Sequence, residues 1–151
     1  ASDGVIMPYI HPGSKLGVLL EVNCETDFVA RTDAFQDFCK DVAMHIAAAS
    51  PLTVLREELS EEVVETEKNI FRDQSKKSGK PDEIIEKMID GRMNKFYQEN
   101  VLMEQSFVKN PDLSISDLLT ETIAKLGENI SIARFSRYQL GETAPQTDST
   151  D

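Results

Sequence analysis

Basic residues are scarce in this chain. Sixteen lysines and arginines stand against 27 aspartates and glutamates, a formal net charge of −11. Neutralising phosphates requires a basic surface, so direct nucleic-acid binding is not expected, nor is attachment to an anionic membrane. A protein partner with basic or mixed patches fits better. Long apolar runs are also missing, and none approaches the ~18 residues of a membrane span. There are two cysteines and two histidines. Cys24 and Cys39 match neither a CxxC pair nor a zinc spacing, so no metal or cofactor is expected. Two free structural thiols suit a reducing compartment. "KKSGK" and "PGSK" do not match the phosphate-loop pattern, and neither G-x-S-x-G nor G-x-G-x-x-G occurs. Little therefore points to an enzyme. The N-terminal "ASDGV" has no initiator Met and no secretory signal features, so a processed chain or an excised piece is expected.

What is present suffices for one core: 151 residues, 40% of them apolar. Residues 4–23 read as a β-hairpin turning at "HPGSK". In its second arm Leu16, Val18, Leu20 and Val22 share one face, and Gly17, Leu19, Glu21 and Asn23 the other. Pro8 has no N–H and places the first arm at a sheet edge or bulge. Phe35, Phe38, Cys39, Val42 and Ile46 repeat at helical spacing over 32–49, with Thr32 or Asp33 as cap and Ser50-Pro51 as terminator. Two amphipathic stretches then flank "SGKP". Leu55, Leu59, Val63 and Ile70 mark the first, and Ile85, Ile89, Met93 and Phe96 the second. Gly79 suits a C-terminal cap and Pro81 a first helical position. This predicts an antiparallel, coiled-coil-like helical hairpin over about 53–100 that protrudes. Ser114 and Asp117 form a capping-box-like pair opening a helix over 114–126 that Gly127 ends. Residues 130–140 read as a strand with a bulge between Ile132 and Phe135. The acidic tail, 143–151, is expected to be disordered. The fold class is therefore α+β, a small antiparallel sheet packed with helices plus the hairpin.

The junction "NCETDFVAR" (23–31) carries the candidate chemistry. Glu25 and Asp27 lie two apart and would point the same way in an extended segment. They are either solvated turn acids or, with His11, an acid–base set. His11 sits in the exposed hairpin turn, where plain turn chemistry also accounts for it; His45 reads as a packed histidine. Phe28 has two readings. It tucks back beside Phe35 in the core, or it faces outward as an anchor for a partner. In the second case Val29 completes the apolar tip, and Asp27 meets backbone donors at a partner helix.

Four segments in order resemble elongation factor Ts: "YIHPGSKLGVLLEVNCETDFVAR", "DVAMHIAAASP", "SGKPDEIIEKMIDGRMNKFYQENVLMEQSFVK" and "LGENISIARFSRYQLGE". The resemblance spans nearly all of residues 4–142 and implies a core (dimerisation) domain over 1–142. It implies guanine-nucleotide exchange on elongation factor Tu, with no covalent chemistry and no cofactor. Thr26, Asp27, Phe28 and Val29 match the family's prying motif, and Leu126 and Gly127 its second contact. His11 matches a histidine facing another partner domain. The family's N-terminal three-helix domain is not in this sequence, and long members carry two copies of the core where this chain has one. A short form that pairs as a homodimer is implied, as is excision from a plastid precursor. The chloroplast stroma is the expected compartment and the bacterial cytoplasm the alternative. The rival function is a ribosome- or scaffold-docking module that binds elongation factor Tu without efficient exchange.

Overall fold

Strict alternation in "LGVLLEVNC" buries Val18, Leu20, Val22 and Cys24 and leaves Leu19 exposed, which is the signature of a strand with one covered face. In the computed structural model, which describes residues 3–143, the strands are β1 (Asp3–Ile10), β2 (Leu16–Cys24), β3 (Ser106–Phe107), β4 (Asn110–Ser114) and β5 (Ser131–Gln139). The helices are α1 (Asp27–Ala30), α2 (Asp33–Ala49), α3 (Glu61–Lys76), α4 (Asp82–Asn100) and α5 (Ile115–Leu126). Two compact units result. One holds residues 3–48 and 122–143, the other residues 49–121. The expected disordered tail lies, from residue 144 on, outside the described residues.

The first unit is built on a three-stranded antiparallel sheet in the order β1-β2-β5. Pro8 is accommodated because β1 is an edge strand. Glu21 pairs with Arg134 but Val22 pairs with Ile132, which leaves Ala133 as the extra residue of a bulge. The phase change expected between Ile132 and Phe135 is this bulge. α2 buries Phe35, Phe38, Cys39, Val42, Ala43, His45, Ile46 and Ala47. The guanidinium of Arg137, on β5, donates two hydrogen bonds to the Ala47 carbonyl at 2.9 and 3.2 Å and ties the sheet to the end of α2. Ser50 then takes a positive φ of 50° before Pro51, which stops the helix.

The second unit holds the helical hairpin of α3 and α4. Ile85, Ile89 and Met93 form its buried seam, with Val64, Phe71, Phe96 and Tyr97 packed against them. On α3 this corrects the expected seam by one position, since Val63 and Ile70 are exposed. The cause is at Ser60, whose hydroxyl accepts from the Val63 N–H and starts α3 there. Leu55 and Leu59 precede that cap and flank a short 3₁₀ turn (Arg56–Glu58), so they do not set the helix phase. Pro81 is the residue before α4 rather than its first. The short β3–β4 ribbon was not anticipated. Ser114 and Asp117 do form the expected reciprocal box at the start of α5, each bond 3.0 Å. Among the described residues no helix is long and apolar enough to cross a membrane.

Candidate functional site

The chain leaves β2 at Cys24 and turns at once into α1, a helix of four residues. Thr26 caps it: its hydroxyl oxygen accepts the Val29 N–H at 3.2 Å. At the other end the Thr32 hydroxyl donates to the Val29 carbonyl at 2.7 Å, and the Gln36 side chain donates to the Ala30 carbonyl at 2.8 Å. Thr32 also accepts the Phe35 N–H and caps α2. The Cys24 thiol donates to the Thr26 carbonyl at 3.2 Å. Burial raises the Cys24 thiol pKa and pushes Cys39 up to about 12, so both stay protonated at neutral pH.

On this anchored turn Phe28 is 81% exposed, and the reading that tucks it beside Phe35 is excluded. Val29 was expected to complete the apolar tip, but it is only 5% exposed and belongs to the core. Successive helical residues point about 100° apart, so Phe28 can face solvent while Val29 faces the core. Asp27 and Glu25 are not a facing acid–base pair. The Asp27 carboxylate accepts from Arg31 Nε at 2.7 Å in an exposed i,i+4 bridge. Glu25 accepts the Asn129 N–H at 2.5 Å.

Leu126 is the last residue of α5, and Gly127 follows with φ +75°, a left-handed conformation that favours glycine. The Gly127 N–H closes the helix on the Ile123 carbonyl at 2.8 Å. The next residue, Glu128, reaches back to the α1 turn. Its Oε1 accepts the N–H groups of Glu25 (3.2 Å) and Thr26 (3.1 Å), and its Oε2 accepts the Thr26 hydroxyl at 2.7 Å. Glu128 thus ties the α1 turn that carries Asp27 and Phe28 to the chain just after Leu126 and Gly127. Glu128 was not among the expected site residues. One signal was available: an acid just beyond a helix C-terminus is disfavoured by the helix dipole and calls for donors from elsewhere.

His11 is not part of this cluster. It lies past Ile10, at the opposite end of the hairpin from Cys24, roughly 25 Å of strand away. It is exposed, and its Nδ1 lies 2.9 Å from the Tyr9 hydroxyl.

The family profile described as Elongation factor TS matches residues 1–142. Elongation factor Ts of Geotalea daltonii is 58% identical over 149 residues, covering 99% of this chain and 69% of that protein. The Geobacter sulfurreducens protein of the same name is 56% identical over 149 residues, with the same coverages of 99% and 69%. That of Carboxydothermus hydrogenoformans is 56% identical over 142 residues, 94% of this chain and 65% of that protein. These relatives are bacterial, which accords with the bacterial alternative and lends the plastid expectation no support. The profile and these relatives agree: the chain belongs to the elongation factor Ts family.

Proposed function

We propose that this chain is a translation elongation factor that binds GDP-bound elongation factor Tu and promotes GDP release, with Phe28 as the wedge. The observation that carries this is a large apolar side chain, 81% exposed, on a turn tied down at both its ends. The resemblance supplies the partner, and the geometry suits the task. Exchange is a coupling between two ligands, so whatever weakens nucleotide binding is weakened by nucleotide to the same degree. Burying one Phe is worth roughly 1.5–3 kcal/mol, and each ~1.4 kcal/mol is tenfold in affinity. Phe28 alone thus supplies on the order of 10–100-fold coupling. Asp27 adds a polar contact at small cost, because its exposed bridge to Arg31 contributes about 0–1 kcal/mol. Val29 acts from within, as the anchor that turns Phe28 outward. Leu126 and Gly127 form the second contact. His11, at the far end of the hairpin, would meet a separate partner domain.

A homodimer fits the open face of the first unit's sheet. Ile6, Ile10, Leu19, Tyr138 and Leu140 are exposed there or at its end. A depression of about 240 Å³ between Ile6, Leu19, Glu21, Arg134 and Ser136 marks the same face. A two-fold pair buries one patch on both copies, which a single sheet face satisfies. For the compartment, the bacterial relatives favour the cytoplasm. The functional test is release of labelled GDP from elongation factor Tu with and without the chain. Acceleration is expected; no acceleration at saturating concentration would reject exchange and leave a docking module.

A further inference from the structure

Two carboxylates cross between chain segments about a hundred residues apart and satisfy each other's backbones. Glu128 takes three hydrogen bonds from Glu25 and Thr26, while Glu25 takes one from Asn129. The Thr26 hydroxyl is shared: it donates to Glu128 and accepts from Val29, so the carboxylate fixes the rotor that caps α1. α1 is far shorter than a helix that holds itself. Without Glu128, three donors at its start lose their acceptor, and the hydroxyl is free to turn away from Val29.

We infer that Glu128 is a positioning residue for exchange: its carboxylate locks the Thr26–Phe28 turn to the end of α5, so that Phe28 and Leu126–Gly127 press on the partner as one body. A loose Phe28 would have to be ordered on binding, at the expense of the energy that displaces nucleotide. Two contacts joined by Glu128 pass a displacement from one to the other; two separate contacts do not. For its kinetic consequence this role rests on the exchange reading, while its structural consequence does not.

The test uses two readouts on the full chain. The sequence contains no tryptophan, so Phe28→Trp places a single fluorophore at the tip. In the free protein, Glu128→Ala is expected to increase fast local depolarisation of that fluorophore, and Glu128→Gln to restore it. The glutamine carbonyl accepts both N–H groups; its amide donates to Thr26 Oγ1, reversing that bond and turning the hydroxyl proton to solvent, so the two backbone bonds survive without the charge. In GDP release from elongation factor Tu, Glu128→Ala is expected to lower the rate roughly ten- to a hundredfold and Glu128→Gln to recover most of it. In a Phe28→Ala background the same Glu128→Ala change is expected to cost less than about twofold, because residues that act together are not additive. If Glu128→Ala does not fold, Thr26→Val removes the hydroxyl bond and should loosen the tip in the same direction. Unchanged depolarisation, or a full loss of rate in the Phe28→Ala background, would overturn the role. If the wild-type chain releases no GDP, the exchange reading fails, and the depolarisation still decides whether Glu128 positions the tip.

Discussion

A helix of four residues makes too few internal hydrogen bonds to hold itself, and α1 is held from outside by Thr26 and Glu128 at its start and by Thr32 and Gln36 at its end. Phe28 therefore adds little to the fold. Phe28→Ala is expected to shift stability by no more than about 0.5 kcal/mol in a urea melt, whereas Phe35→Ala, at a fully buried position, should cost about 3–5 kcal/mol. Cys39 gives a pH signature. Its native pKa is raised from about 9 to about 12 by burial, so the native state holds its proton more tightly than the unfolded chain. Its contribution is present in full below pH 9 and is lost as pH rises from 9 towards 12. Cys39→Ala removes that loss. The stability gap between wild type and variant should thus narrow above pH 9 by up to about 1.4 kcal/mol per pH unit, read from melts at stepped pH. Sequence alone left Phe28 between core and surface, since periodicity does not say which way a turn residue points. Its neighbour Val29 took the core position instead.

At the scale of elements, the hairpin of α3 and α4 shows where periodicity reads well and where it slips. Ile85, Ile89 and Met93 of α4 were legible because one uninterrupted helix carries them. On α3 the pattern was extended from Leu55 and Leu59 across the cap at Ser60, and a new helix start resets the phase. The buried contacts are Val64 and Phe71. Ile89→Ala should therefore cost about 2–5 kcal/mol and the exposed Ile70→Ala less than about 1 kcal/mol, compared by denaturant unfolding. An equal cost would restore the other seam. The base of the hairpin carries a clasp that no spacing rule foretold. Arg56 pairs with both Glu104 carboxylate oxygens and lies 4.1 Å from the Tyr97 ring centroid. The two-residue β3 was equally hidden, being too short to show alternation.

Across the whole molecule, the α+β class and the antiparallel sheet were legible, because alternation in β2 and the bulge in β5 leave marks in the sequence. The meeting of Glu25, Thr26, Glu128 and Asn129 was not, since their pairing depends on how distant segments close. In the proposed function one copy would present Phe28 to elongation factor Tu, and the open sheet face would receive a second copy. Leu19→Glu, at the centre of that face, should convert a dimer into a 16.9 kDa monomer by light scattering without unfolding it. A wild-type chain that is monomeric at micromolar concentration would remove the dimer from the account. The wedge stands or falls on the rate of labelled GDP release from elongation factor Tu, measured for the wild-type chain beside Phe28→Ala. The wild-type chain should accelerate release, and the variant, still folded, should lose on the order of ten- to a hundredfold of that acceleration; equal rates for the two proteins would contradict it.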